Sequence, residues 1–338
     1  MATIVSKATL AKQKPKIAFP KNFRLSDHLR EVRGSGGSSG RVFEFLGSDN
    51  FSDEWNQRQQ FEVDAGRDEE PILYLPLYDA INDPNLPEVV NLFKIGPGGV
   101  VIEQIYEGGE VKFASVSSST ETVTIKHYGV GLEYSKDLVQ FNRLWDVAIV
   151  ERQAGIAWNA LLNHAHLYPY ISYSYASSNQ TAAVTSGATD AEDILLTLEA
   201  AIVAAKADTS NPRRGPYNLL ISSADAFRVE RALTRVPQQG FTQQSSAIGM
   251  IQNVIVYDGW TGTRGGKVTT YTGVSANKAY LIDIANRMFD AKSYIKQDFR
   301  LDGEDMDASR FMSQRIYDAY FGVYTNVLRS TEEVTLPS

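Results

Sequence analysis

The chain has 338 residues, 43% of them hydrophobic and 22% charged, enough to bury a sizeable core in two domains or one elaborated domain. No apolar run is long enough to cross a bilayer, and MATIVSKATLAKQKPK places no apolar segment before a small-residue cleavage site. Neither a membrane span nor a secretory signal is expected, and the expected compartment is the cytoplasm. Without cysteine, disulfides, thiol nucleophiles and cysteine metal sites are excluded, which leaves packing, hydrogen bonds and assembly to stabilise the protein.

The net charge of −7 is unevenly spread. Residues 1–41 hold nine Lys and Arg, among them Lys12, Lys14, Lys16 and Lys21, against Asp27 and Glu31, so this block carries +7 and the remainder −14. Residues 42–70 follow with nine acids against Arg58 and Arg67. A basic arm beside an acidic stretch suits pairing with an oppositely charged neighbour or contact with nucleic acid, the alternative being a solvated tail. GSGGSSG, at 34–40, has linker composition.

Residues 71–93, interrupted by prolines and without a sustained period, read as an extended connection with a short helical turn. A polar/apolar ribbon follows, strand-like over 100–106, 110–116 and 121–128, with turns at Gly108–Gly109 and at 117–120. Such a ribbon is marginal alone in water and needs support from outside itself. Its apolar face includes Val101, Ile105 and Phe113.

Val147, Val150, Ala154, Ala157, Trp158, Leu161 and Ala165 then recur at spacings of three and four, predicting a long helix over 142–166. A second helix is predicted over 190–208, with Asp190 as its N-cap and Ile194, Leu195, Leu198, Ala201, Ile202 and Ala205 as its stripe. Strands at 217–222, 253–258, 267–271 and 278–284, and a helix over 224–233 capped by Ser222 or Ser223, complete a compact α+β unit at 185–285. The chain returns through 286–303 and closes with a long strand. Its alternate positions Arg315, Tyr317, Ala319, Phe321, Val323 and Val327 fit a long strand, bent or interrupted at Gly322. No repeat of solenoid or propeller length is present.

Catalytic readings lack their parts. His164 and His166 are two apart, on opposite sides of a helix rather than one metal-binding face. The sequence has no G-x-S-x-G, no P-loop and no H-E-x-x-H. DGEDMD, at 302–307, lacks the spaced oxygen ligands of a calcium loop and reads as a solvated turn. No catalytic residue, metal site or cofactor is assigned.

The order of parts is itself informative. A charged arm, a ribbon ending in TVTIKHYGVGLEYSKDLVQ, the helix VAIVERQAGIAWNALLNHA, a compact unit entered by DAEDILLTLEAAIVAAKA, and the last strand RIYDAYFGVYTNVL together resemble tailed-bacteriophage major capsid proteins. The resemblance covers nearly all of the chain from about residue 98, and KHYGVGLEYSKDLV at 126–139 is its most family-like piece.

It implies an α+β fold of the Hong Kong 97 type. The parts would be an N-terminal arm (1–70), a connection (71–98), an extended loop (99–128), a peripheral domain with a spine helix (129–184), an axial domain (185–285) and a return to the peripheral domain (286–338). It further implies a non-enzymatic shell subunit of a virion, assembled in the host bacterial cytoplasm as hexamers and pentamers around double-stranded DNA bound without sequence specificity. Portal and decoration proteins would be further partners, and any scaffolding protein would be a separate chain, since residues 1–70 contain no long acidic coiled-coil segment. The expected inter-subunit contacts are Lys12, Lys14, Lys16, Lys21, Val101, Ile105, Lys112 and Phe113. In relatives welded by Lys–Asn isopeptide bonds, Lys112 would be the donor. An encapsulin-like cargo compartment of the same fold, and an unrelated soluble enzyme or binding module with a long arm, remain the alternatives.

Overall fold

A computed structural model of the chain describes residues 3–5, 60–95, 118–135, 144–234, 249–264, 266–307 and 312–338. In chain order the elements are β1 (Thr3–Val5), α1 (60–69), β2 (Asp79–Asn82), β3 (Val89–Ile95), β4 (Ser118–Thr124), β5 (Lys126–Ser135), α2 (Leu144–Ser172) and β6 (Gln180–Thr181). They continue with α3 (Asp190–Ala207), β7 (Tyr217–Ile221), α4 (Ser223–Leu233), β8 (Ile251–Val256), β9 (Gly259–Arg264), β10 (Lys267–Thr272) and β11 (Lys278–Asp283). The last are α5 (Arg287–Asp290), β12 (Ala291–Asp307), β13 (Met312–Thr325), α6 (Val327–Ser330) and β14 (Thr331–Thr335).

The apolar run YNLLI buries all five of its residues in β7, inside a six-stranded sheet ordered β1-β8-β7-β11-β14-β6. A strand apolar on both sides must be covered on both faces. Leu219, Ile221, Val254 and Leu281 pack under Ile194, Leu198, Ile202 of α3 and Val229 of α4. Leu220, Ile255, Tyr280 and Ile282 point the other way, into a second core shared with Leu167 and Tyr170 of α2. The predicted α3 stripe is buried apart from half-buried Leu195. Its N-cap is Thr189 rather than Asp190. The Thr189 hydroxyl accepts from Glu192 N–H, and the Glu192 carboxylate accepts from Ala188 N–H at 2.7 Å. The first bond satisfies one orphan donor of the helix, the second holds the residue before the cap, and Asp190 is left to pair with Arg228 of α4.

A four-stranded sheet, β2-β12-β13-β5, lies on the other side of α2. Of the alternate positions expected in the last strand, Arg315, Tyr317, Ala319 and Phe321 are buried in β13 and Val323 is half-buried, whereas Val327 falls in α6, beyond the strand's end at Thr325. The strand is not interrupted at Gly322; the register irregularities fall on β12, between Ile295 and Gly303. A Cβ at position 322 would stand 2.9 Å from the Thr124 carbonyl, so this glycine admits the β4–β5 junction against the sheet. DGEDMD likewise is no turn: Gly303 to Asp307 pair with Ile316 to Met312. Residues 71–93 hold more than a connection, since β2 joins β12 in parallel and β3 pairs with β4.

Helix α2 runs past the expected end at His166 and through Pro169, because Leu167 and Tyr170 hold its last turns in the core. Packing there outweighs the hydrogen bond that proline removes. Its buried face also differs from the apolar stripe. Glu151, Ala154, Trp158, Asn159, Leu162, Asn163, His166 and Tyr170 point inward, whereas Val150 is exposed and Ala157, Leu161 and Ala165 are half-buried. Helix α1, within the acidic stretch, crosses α2 at two glycines. A Cβ on Gly66 would meet the Arg152 carbonyl at 2.0 Å, and one on Gly155 the Val63 carbonyl at 2.1 Å.

Candidate subunit-contact site

The eight contact residues expected from sequence, Lys12, Lys14, Lys16, Lys21, Val101, Ile105, Lys112 and Phe113, lie outside the described residues. What the structure does show is the root from which 96–117 departs. β3 and β4 form a ladder from Val89–Thr124 to Ile95–Ser118, and Ile125 N–H donates to Glu88 C=O at 2.8 Å. Val123 and Ile125 close on Tyr294 and Tyr324 of the four-stranded sheet, with Val90 and Leu92 against them. This small core anchors the ribbon's base on the sheet face turned away from α2.

On the opposite side, α2, β5 and the β9–β10 hairpin enclose an open groove of about 470 Å³. Its floor is the apolar stripe of α2, with Val150 exposed, Ala157 and Leu161 half-buried, and Ala154 and Trp158 buried beneath them. One wall is the run Tyr128 to Leu132, consecutive residues of an edge strand whose one ladder among the described residues is with β13. The roof is one face of the hairpin, where Tyr271 stands opposite Trp260 and Thr269 opposite Gly262. Trp260 lies across Gly262, where a Cβ would strike the indole at 2.0 Å. His164 of α2 stacks on Tyr271 at 4.5 Å and braces the hairpin to the helix; burial holds its imidazole below the usual histidine range. The lining has no charged side chain.

Polar side chains hold this assembly of elements together. Asn163 accepts from Leu73 N–H at 2.8 Å and donates to Pro71 C=O at 2.9 Å, and Asn159 donates to the carbonyls of Arg67 and Glu70. These two amides satisfy the exit of α1, where the backbone has no helical partner left. His166 donates through Nδ1 to Leu162 C=O at 2.7 Å, accepts at Nε2 from Ser293 Oγ at 2.8 Å, and stacks on Tyr74. Burial pushes its pKa down to about 3, so the ring is neutral. Glu151 accepts from Tyr134 Oη at 3.0 Å and faces Arg315 at 3.8 Å, all within the core.

The histidine pair therefore divides as its spacing implies, one ring in the core and one beside the hairpin. Among the described residues no three His, Asp or Glu side chains converge as a metal site, and no helix is long and apolar enough to cross a membrane. Sequence reasoning missed the groove's hairpin roof, for which the alternation of Trp260, Gly262, Thr269 and Tyr271 was the available signal.

No protein-family model matches the sequence, and no curated protein matches it. Solved structures do match. The capsid of Cyanophage P-SCSP1u aligns with 79% of this chain and 88% of its own at 10% identity and a TM-score of 0.53. The mature capsid of bacteriophage PhiM1 aligns over the same shares at 10% identity and 0.52. A virus-like particle from Pyrococcus furiosus aligns over 83% of this chain and 99% of its own at 12% identity and 0.50. At such identities the likeness is one of fold: the chain has the Hong Kong 97-type capsid fold.

Proposed function

We propose that this chain is the major subunit of a closed icosahedral shell, the head of a tailed bacteriophage, assembled from hexamers and pentamers around double-stranded DNA. The observation that carries the reading is a shared fold over 88% of each of two phage capsid chains and 79% of this one. The division into arm, extended loop, peripheral domain and axial domain belongs to the same proposal. So do assembly in the host bacterial cytoplasm and service by separate scaffolding, portal and decoration proteins.

In this reading the chain acts by docking and not by catalysis. Val101, Ile105 and Phe113 of one copy cover apolar surface on a neighbour, and Lys112 of the same ribbon is a further contact. Lys12, Lys14, Lys16 and Lys21 pair with the acidic surface of adjoining copies, because residues outside the basic block carry −14. A second reading, a compartment that encloses protein cargo, draws on the Pyrococcus furiosus virus-like particle, nearly all of whose chain aligns here. Size-exclusion chromatography with negative-stain microscopy tests the shell: closed particles are expected, and a stable monomer at high concentration overturns it. Nuclease-protected DNA inside the particles favours the phage head, and copurifying protein cargo favours the compartment.

A further inference from the structure

We infer that the knuckle at 285–289, where the chain crosses between its two sheets, docks a second copy of this chain through the outer face of that copy's α1. The inference rests on the shell reading. Residues 285–289 are all exposed, and Met288 and Phe289 among them are 61% and 72% accessible. The knuckle is held rigidly from both sides. Ile284 N–H donates to Pro216 C=O at 3.1 Å, Phe289 N–H to Asn286 C=O at 2.8 Å, and Asn326 N–H, at the head of α6, to Asp290 C=O at 2.7 Å. Exposed charge around it is positive. Arg287 lies within it, Arg329 is brought beside it by Asp290 at 3.9 Å, and Arg214 by its N–H on the Asp283 carboxylate at 2.9 Å, whereas Asp283 and Asp290 are themselves buried. Adjacent exposed apolar side chains mark a contact, and methionine, phenylalanine and arginine with the acids kept inside is the composition of an interface.

Helix α1 offers the complement. Phe61, Asp64 and Asp68 stand at i, i+3 and i+7 and are all exposed, so one face of the helix presents an aromatic ring beside two carboxylates. Among the described residues neither carboxylate has a cationic partner. The other side of α1, at Val63 and Gly66, lies against α2. The two faces of one copy are out of each other's reach. Arg67 binds Asp298 at 2.9 Å, seven residues along β12 from its start at Ala291, which puts the end of α1 roughly 20 Å from the knuckle. The chain approaches α6 only after α1, bonding Asn163 at Leu73 and Thr325 at Tyr78, so Phe61 and Asp64 lie farther still. A face at one end of the subunit that fits a different face at the other makes a head-to-tail contact, and such contacts close into rings.

Charge reversal tests the pairing. Arg287→Glu, and Asp64→Arg with Asp68→Arg, are made separately and then together, and closed particles are counted by negative stain at low salt, where ion pairs are least screened. Each alone should give several-fold fewer particles from subunits that melt like the unsubstituted protein. All three together should restore the yield, a recovery that a folding defect does not produce. Normal yield from Arg287→Glu, or no recovery on combination, overturns the contact; a loss confined to the knuckle variant means that a different chain sits there and overturns it too. The chain has no cysteine, so a second measurement is available should a reversed variant fold poorly. Particles assembled from mixed Phe61→Cys and Met288→Cys proteins are oxidised and run on a non-reducing gel. Covalent dimers are expected from the mixture beyond those of either protein alone, and intact particles that stay monomeric on the gel overturn the inference while the shell reading stands. Failure of the unsubstituted chain to form particles removes both, and microscopy reads that separately.

Discussion

Helices α3 and α2 are both long and both carry apolar residues at helical spacing, yet they use them in opposite ways. α3 turns Ile194, Leu198, Ala201, Ile202 and Ala205 into the core under the six-stranded sheet. α2 buries Glu151, Asn159, Asn163 and His166 among its apolar core residues and leaves Val150 and Leu161 on the floor of an open groove. One region is closed by its own side chains. The other uses polar side chains to satisfy the backbone that crosses it and leaves apolar surface open in a groove. An apolar stripe therefore does not by itself say whether a face is closed within the chain or left open.

The sharpest way to break this contrast lies in the six-stranded layer, where a charged pair is fully buried. Arg213 donates to Glu332 at 2.8 Å, stands 3.3 Å from Asp208, and is, like Glu332, wholly inaccessible. Glu332→Leu should cost about 3–5 kcal/mol by stranding the guanidinium, and adding Arg213→Met should recover most of that loss. Urea unfolding of the two single variants and the double variant measures the coupling. A double variant no better than the worse single would mean that this layer also depends on charge.

Leu198→Ala in α3 should cost about 2–5 kcal/mol, because a fully buried leucine leaves a cavity. Asn163→Ala in α2 strands Leu73 N–H and Pro71 C=O instead, each costing about 1–3 kcal/mol if unsatisfied. The two should differ in kind. Hydrogen exchange should quicken locally around 60–73 for the asparagine variant and across the sheet for the leucine variant. Matching exchange patterns would contradict the division of labour.

His166 sharpens the contrast through pH. Its pKa in the folded chain, about 3, lies below the ordinary 6.5, so the unfolded chain takes up the proton first. The stability this group contributes is present above about 6.5 and is lost as pH falls toward about 3, by roughly tenfold in the folding equilibrium per pH unit. His166→Gln should unfold more easily at neutral pH and show a flatter acid limb. Chemical denaturation across that window checks the sign, and an unaltered acid limb would exclude His166 as its source.

What was legible from sequence follows from how local each determinant is. The α3 stripe, the Ser222 cap, the strand YNLLI and the inward side of β13 all rest on period and cap chemistry within a few residues. The buried face of α2 was not legible, since Asn159 and Asn163 are core residues only because α1 and its exit arrive across ninety positions of sequence to be hydrogen-bonded. Helix α1 hid inside a charge-rich stretch, and β1 inside a basic one, because charge counting is blind to a ladder made by the backbone. The acidic run at 302–307 misled in the same way: its composition suits a turn, but its long partner β13 holds it as strand. The eight expected contact residues lie outside the described residues; the apolar stripe of α2 was legible, but not that Val150, Ala157 and Leu161 line an open groove while Ala154 and Trp158 are buried.

The smallest effect on stability should come from that floor, and it isolates docking from folding. Val150 is 43% exposed on α2 and lines the groove, so Val150→Ser should change the unfolding free energy by no more than about 0.5 kcal/mol. If the groove receives an apolar segment of a neighbouring copy, the same substitution repeats at every contact of the shell, and small losses multiply across many equivalent sites. The expected outcome is a subunit that melts like the unsubstituted protein and yields several-fold fewer closed particles by negative stain. Leu198→Ala provides the opposite profile, destabilised in the subunit with the groove intact. Should Val150→Ser assemble normally, the apolar stripe of α2 would be exposed surface without a partner, and the contrast with α3 would reduce to a difference in packing alone.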